Sequence, residues 1–447
     1  MELLAQIPLV GGTLAVIVPF LIVLSIVVFV HEFGHYIVGR WCGIQARVFS
    51  IGFGKPLFKW TDRRGTQWQI AMLPLGGFVK FAGDMDPASA GRVDDATLTA
   101  EERKGAFHGA GLGARSLTVV AGPVANFLLS VAIFAGILIW AGQPSNDPVI
   151  ATIGSDAAEG VGFEPGDRVL SIAGTEIETF ADIINILART DGEPQSAIVE
   201  RDGDLREIAA RYVSVPRVTQ VTPGMPAAKA GLLAGDVFLT IDGEPVDSYR
   251  ELQLITAAKP HGAEIAVEVD RDGSRLTFHF VPELVEREHP LTEQIVVLPT
   301  MGISGPVLAG IEPGRESVPI HRAIIGGANE TWHIISGTMT YIRDMALNGA
   351  DTSQLGGPIR IAEVSGSAAE QGFSSLVWLI AVLSTSIGLI NLFPIPILDG
   401  GHLMFYAVEF IRGRPVGETS MKIGTMIGLS LVLLLMVFAT YNDLVRL

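Results

Sequence analysis

LAVIVPFLIVLSIVVFVHEFGH, residues 14–35, decides how this chain is read. From Leu14 to Val30 no residue carries a charge, and the run has the character of a helix that crosses a bilayer. His31, Glu32 and His35 follow directly, with no turn signal between. Ionisable groups at membrane depth are costly and by default mark a functional site. On a helix, His31 and His35 stand at i and i+4, so both imidazoles project from one face. That spacing suits two ligands of a tetrahedral Zn2+, with Glu32 beside them to take a proton from water. The alternative is a chance HExxH on an exposed helix end, which beside lipid would leave three polar groups without partners.

Working outward, apolar runs near residues 116–141, 375–398 and 424–440 match the first, at 14–38, in length. They account for a mean hydropathy of +0.42 in a chain of 447 residues that is 49% apolar and 17% charged. This predicts a multi-pass α-helical membrane protein with four transmembrane helices. The first run lacks a basic n-region and a small-residue cleavage site, so it is read as a retained helix and not as a signal peptide. The net charge of −16 argues against a nucleic-acid partner. Cys42 is the only cysteine, which leaves no disulfide framework and no cysteine metal site.

Basic residues set the expected topology. Arg40, Arg47, Lys55, Lys59, Arg63, Arg64, Lys80, Arg103, Lys104 and Arg115 lie between the first two runs, and Arg412, Arg414 and Lys422 lie before the last. The positive-inside rule places both loops in the cytoplasm and both termini on the other side. The long region between the second and third runs is then extracytoplasmic. HExxH falls at the cytoplasmic end of its helix, so the site is expected within the membrane, towards the cytoplasm.

Residues 143–283 change character, with short alternating runs and Gly-Asp and Asp-Gly turns, and predict a soluble insert of strands and short helices. It contains a repeat: FEPGDRVLSIAG from Phe163 parallels LLAGDVFLTIDG from Leu232, and Arg201-Asp202-Gly203 recurs as Arg271-Asp272-Gly273. Two copies fit tandem domains better than a solenoid. The expected division is 1–142 for the first two spans, 143–215 and 216–284 for the repeats, 285–374 for a linker, and 375–447 for the last two spans. Within that linker Ile325, Ala328, Trp332, Ile335, Met339, Ile342 and Ala346 recur at three- and four-residue steps. They predict an amphipathic helix that either lies on the outer membrane surface or packs against the insert.

Two histidines leave a zinc site short of protein ligands. Asp399, in NLFPIPILDG from Asn391, is an acid in an otherwise apolar run, where a bound dication would keep it ionised. It could equally cap a helix after the break made by Pro394 and Pro396. His402 and Glu330 are weaker alternatives. Asn126 and Asn391 carry amides in apolar surroundings; they could hold an unwound substrate or an oxyanion, or simply bond neighbouring helices. Before the second span, Gln67–Leu73 and Phe78–Phe81 read as a hairpin joined around Pro74 and Gly76-Gly77. Trp68, Ile70, Phe78 and Val79 on it are candidates to hold a substrate strand; the alternative is a hairpin that only packs on the helices. No motif marks the Asp84–Gly105 segment.

Taken together, HEFGH, Gly122-Pro-Val-Ala-Asn126 and Asn391…Leu398-Asp399-Gly400 resemble the site-2 protease family of intramembrane zinc metalloproteases. Each insert repeat resembles a circularly permuted, α+β PDZ domain of the bacterial kind. The tandem pair resembles the RseP-like subgroup of Gram-negative bacteria. The resemblance covers nearly the whole chain. It implies Zn2+ held by His31, His35 and Asp399, with Glu32 as general base and Asn126 and Asn391 supporting substrate or transition state. It implies a membrane-associated β-hairpin around 67–81 and a place in the cell inner membrane, with the PDZ-like domains periplasmic. The implied partners are the lipid bilayer, peptide C-termini at the PDZ-like domains, and single-span substrates in regulated intramembrane proteolysis. Such a substrate is an anti-sigma factor already cut by another protease, or a remnant signal peptide. Two readings compete: a membrane-anchored PDZ scaffold whose metal is structural, and a transporter, for which the spans show no inverted repeat.

Overall fold

The computed structural model describes the chain except for residues 1–10, 84–104, 155–160, 188–189, 191–192, 212–214, 223–224, 272, 289–294, 306–310, 349–355 and 447. All of the unassigned 84–105 segment except Gly105 falls outside the described residues. The chain forms two compact units, one of residues 1–141 with 318–445 and one of residues 142–317.

The first unit is helical. α1 (Gly11–Trp41), α2 (Leu112–Ala141), α8 (Phe373–Asn391) and α10 (Glu418–Arg446) contain the four stretches long and apolar enough to cross a membrane. Their packing is inverted relative to a soluble bundle. Ile17, Ile22 and Ile26 of α1 and Met426, Ile427, Leu434 and Val437 of α10 are exposed, as expected of side chains that face lipid. On α1 the buried stripe is Val23, Val27 and His31, four residues apart, so the face that packs on Ile380 of α8 carries straight on to the first histidine. Polar side chains join helices deeper in the bundle. Thr331 Oγ1 donates to Ser130 Oγ at 3.2 Å, and the Ser130 and Thr385 hydroxyls lie 2.6 Å apart. These bonds tie α2 and α8 to α6 (Ile320–Asn348).

α6 differs from its sequence reading. It packs on α2 through small residues: Ala323 against Ala135, Gly327 against the backbone of Val131, and Thr331. The periodic apolar face points outward instead, with Ile325 and Trp332 exposed. Within a membrane, small residues win the contact because they allow close helix approach, and bulk apolarity confers no advantage against lipid.

β1 (Ala46–Thr61) and β2 (Gln67–Phe81) make an antiparallel sheet folded onto itself. Residues 67–70 and 77–81 do not pair with each other, so the expected hairpin is corrected. Both flank residues 46–51: Phe49 faces Trp68 on one side and Val79 on the other, while Phe58 pairs with Ile70. Phe49 is completely buried and stacks on Trp68 with ring centroids 4.4 Å apart. That packing inserts residues 46–51 between the two segments. Asp62 closes the turn, accepting from Trp68 Nε1 at 3.0 Å and from the Thr66 and Arg64 amides. Burial alone would raise its pKa, but these hydrogen bonds win and hold the carboxyl below the usual range.

The second unit holds two four-stranded sheets with matching order. In the first, β5 (Arg168–Ile172) lies between β6 (Thr175–Glu176) and β7 (Gln195–Arg201), with β8 (Asp204–Ala210) outside. In the second, β10 (Val237–Ile241), β11 (Glu244–Pro245), β12 (Ile265–Arg271) and β13 (Ser274–Phe280) repeat that order. Each copy buries an aspartate completely against an arginine, Asp167 with Arg201 and Asp236 with Arg271. The division expected at 284 is not where the insert ends. β16 (Ile303–Ser304) pairs with β9 (Gln220–Val221) in the second copy. β17 (Ile311–Pro313) then pairs with β4 (Ile150–Ile153) in the first, where Ile311 joins the core. Residues expected to be linker therefore close both copies.

Candidate active site

α1 brings the two histidines, and a broken helix brings the third group. α8 ends at Asn391, and the chain passes Pro394 and Pro396, which lack N–H donors, before α9 (Asp399–Arg412) begins. Ile397 sits in this break with φ of 133°, a conformation costly for a β-branched residue, of the kind that collects at functional sites. Gly400 lets the new helix start in the crowded break, since a Cβ there would lie 2.3 Å from the carbonyl oxygens of Leu392 and Phe393. Asp399 is the first residue of α9, where free N–H groups and the helix dipole favour an anion.

His31 Nε2, His35 Nε2 and Asp399 Oδ2 form a small triangle. The histidine nitrogens are 3.2 Å apart, and the carboxylate oxygen is 3.1 Å from one and 3.4 Å from the other. Among the described residues these three form a group able to hold a metal ion. A tetrahedral ion with bonds of ~2.0–2.1 Å sets its ligand atoms about 3.3 Å apart, which the triangle matches. The donor set also fits. Two imidazoles and a carboxylate are borderline-to-hard ligands of the kind Zn2+ takes, and three protein ligands leave the fourth position open.

The surroundings aim the ligands. Thr118 O lies 2.8 Å from His35 Nδ1, and a carbonyl only accepts, so Nδ1 carries a proton and Nε2 is the nitrogen left to meet a cation. α2 comes very close to both rings. A Cβ at Gly122 would lie 2.3 Å from His35 Nε2, and one at Gly34 would lie 2.3 Å from the Ala121 carbonyl oxygen. Behind α9, Arg115 forks onto Glu409 at 3.2 and 2.6 Å, donates to Ala110 O, and lies over the Tyr406 ring.

A cavity of about 200 Å³ opens on this group, lined by Glu32, Asn391, His402, Tyr406 and residues 77–79 of β2. The Val79 backbone N–H faces the Glu32 carboxylate. Of the hairpin candidates, Phe78 and Val79 face the cavity, while Trp68 and Ile70 are not on its wall. Asn391 is on the wall and donates to Ile387 O of its own helix at 3.1 Å. Asn126 is completely buried and does not reach the cavity. Of the alternative ligands, His402 lines the cavity outside the three-residue group, and Glu330 is exposed on α6. Sequence reasoning missed Thr118, Gly122 and the Arg115–Glu409 pair. Gly122 lay in plain view in the Gly-Pro-Val-Ala-Asn stretch, but its meaning depends on what packs against it.

The model for peptidase family M50 matches residues 19–435. The chain is 39% identical to a candidate zinc metalloprotease of Agrobacterium fabrum, across 96% of this chain and 95% of that one. It is 32% identical to the regulator of sigma-E protease RseP of Salmonella typhimurium, across 96% of this chain and 98% of that one. Among solved structures, the PDZ domain of an SdrC-like protein from Listeria monocytogenes aligns with 20% of this chain and 84% of its own length, at 22% identity and a TM-score of 0.16. That likeness is too slight to decide the nature of the insert. By the family match and by relatives that align end to end, the chain belongs to peptidase family M50: it is a zinc metalloendopeptidase of intramembrane proteolysis.

Proposed function

We propose that His31, His35 and Asp399 hold a Zn2+ ion and that Glu32 is the general base for hydrolysis of a peptide bond in a membrane-embedded substrate. The triangle of ligand atoms with 3.1–3.4 Å edges carries this reading. When bound, Zn2+ supplies Lewis acidity, lowering the pKa of water and polarising a carbonyl. Glu32 faces the same cavity and is one residue from a ligand, so its carboxylate can take a proton there and return it to the leaving nitrogen. Asn391, also on the wall, is placed to hold substrate backbone.

The substrate must present an extended segment, because a helix hides its carbonyls in hydrogen bonds. Residues 77–81 supply a place for one. They pair with residues 46–51 on one side, and Gly77, Phe78 and Val79 line the cavity, so a strand can add to the other edge next to Glu32. We assign this to single-span membrane proteins. The relative named as a regulator of sigma-E protease suggests a shortened anti-sigma factor as one class, with remnant signal peptides as another. The basic loops favour a cavity towards the cytoplasmic side of the inner membrane and an insert in the periplasm.

The insert is read as a pair of PDZ-like domains that select substrates. Tyr249, which opens α5 (Tyr249–Ala258), donates from its hydroxyl to Ile303 O at 3.1 Å. That carbonyl lies on the edge of β16 away from β9, since the Thr219 and Thr222 amides that flank β9 donate to the Ser304 and Gly302 carbonyls. A peptide added there would meet an acceptor already engaged, which favours exclusion of bulky domains over capture of peptide C-termini.

The test is metal analysis together with cleavage of a model single-span substrate by wild type and Glu32→Gln. Both forms should bind Zn2+ and only wild type should cleave. Cleavage by Glu32→Gln at the wild-type rate would overturn the assignment of the base, and a wild type that binds no Zn2+ would overturn the metal site.

A further inference from the structure

Asn126 is buried completely and has no face on the cavity. That sets it back from the wall where a substrate backbone or an oxyanion would sit. Its amide meets His31 instead, on the side of the ring away from Asp399. Nδ2 lies 3.3 Å from His31 Nδ1, while His31 Nε2 faces Asp399 and His35.

An imidazole that offers the lone pair of Nε2 to a cation carries its proton on Nδ1. That N–H needs an acceptor, and it faces an amide whose oxygen, Oδ1, is buried with no hydrogen-bond partner. A half-turn of the amide exchanges two atoms of nearly equal size and brings the oxygen to the ring N–H. The residue itself is fixed from both sides. Ser384 Oγ donates to its backbone carbonyl at 2.9 Å. Its Cβ would lie 3.2 Å from a Cβ at Gly388, so α8 leaves the side chain little freedom except that turn.

We propose that Asn126 is a positioning residue for the metal centre: its Oδ1 accepts from His31 Nδ1–H, so that Nε2 stays bare and aimed at the ion. It touches neither the ion nor the substrate, and acts through His31 as Thr118 O acts through His35. The two ligand histidines are then held by the same device, an oxygen behind each ring. The inference rests on the metal site proposed above.

Zn2+ dissociation constants of the purified full chain, measured by chelator competition in detergent, test it. Asn126→Ala should weaken binding about 10- to 100-fold, the usual cost of losing such an outer partner. Asn126→Asp keeps an acceptor and loses the donor, so it should bind Zn2+ at least as tightly as wild type. An amide that served substrate or transition state would do the opposite, with cleavage lost in both variants and Zn2+ affinity unchanged. Wild-type affinity in Asn126→Ala, or equal losses in the two variants, overturns the proposal. Should Asn126→Ala fail to fold, Asn126→Leu, of similar volume and without an acceptor, takes its place: a loss of about tenfold or more supports the proposal and wild-type affinity overturns it. His31→Ala separates the two levels. If wild type binds Zn2+ and His31→Ala does not, the metal site stands whatever Asn126 does.

Discussion

Asp399 Oδ2 stands 3.1 Å from His31 Nε2, although the two residues come from opposite ends of the chain. Neither helix could bring them together alone. α1 delivers its histidine by continuing a buried stripe, and the aspartate arrives because the chain breaks at Pro394 and Pro396 and restarts a helix at residue 399. Irregular backbone at membrane depth is tolerated where it lines a cavity within protein, and this break does so through Ile397 and Asp399.

Asp399→Asn keeps the shape and removes the charge. Two imidazoles then face an uncharged amide, and Zn2+ affinity should fall by about 100-fold or more, with cleavage lost in parallel. Metal analysis after dialysis against a weak chelator reads this directly. Full metal retention would show that the aspartate serves only the N-terminal end of α9.

Gly122→Ala tests how tightly α2 presses on the site. The added methyl would sit 2.3 Å from His35 Nε2, and His35 is held by Thr118 O, so the ring can escape only by losing that bond. Overpacking of this kind costs about 1–3 kcal/mol, and the displaced nitrogen should lose metal affinity by at least about tenfold. A variant with wild-type Zn2+ binding and activity would mean that the helices can separate at no cost.

The residues that sequence reasoning identified share one property: their meaning is local. His31 and His35 are four apart on one helix, and an acid in an apolar run such as Asp399 needs an explanation wherever the chain goes. What failed depended on partners. Residues 46–61, with two glycines and a proline internal to no regular alternation, gave no strand signal, so the segment that separates 67–70 from 77–81 was missing. β16 and β17 span two and three residues, too short for any periodicity to show. On α6, hydrophobicity pointed to the face that does not pack. Asn126 was visible as an amide in apolar surroundings, but only the structure shows that it lies behind a histidine and away from the cavity.

The Arg115–Glu409 pair should govern how α9 sits, and so where Asp399 lies. Both side chains are largely buried, at 12% and 16% exposure. Removing one partner leaves an uncompensated charge, so Arg115→Met or Glu409→Leu alone should destabilise the protein by about 3 kcal/mol and weaken Zn2+ binding. The double variant replaces both charges with apolar groups and should recover most of the lost stability. Thermal unfolding of the four forms in detergent measures the coupling. Additive losses would show that the pair does not act as a unit.

Asp167 makes the insert sensitive to acid. Its carboxylate is completely buried, accepts from Arg201 at 2.6 and 2.8 Å, and accepts from the Glu164 amide at 2.8 Å. Burial by itself would raise its pKa, but the arginine bonds outweigh it and hold the carboxyl below the usual aspartate range. A group depressed in the folded state stabilises it fully above the unfolded pKa of about 3.9, and that stability is lost as pH falls through the folded value. The first repeat should thus open as pH drops below about 4. Asp167→Asn leaves Arg201, at 11% exposure, only the more exposed Glu164 as a charged partner, which should cost about 2 kcal/mol at neutral pH and flatten the acid dependence. Hydrogen exchange of the full chain between neutral and acid pH locates the effect. Faster exchange in residues 195–210 of the variant, with residues 265–280 of the intact second copy unchanged, is the expected pattern. Equal acid dependence in wild type and Asp167→Asn would show that another group controls the opening.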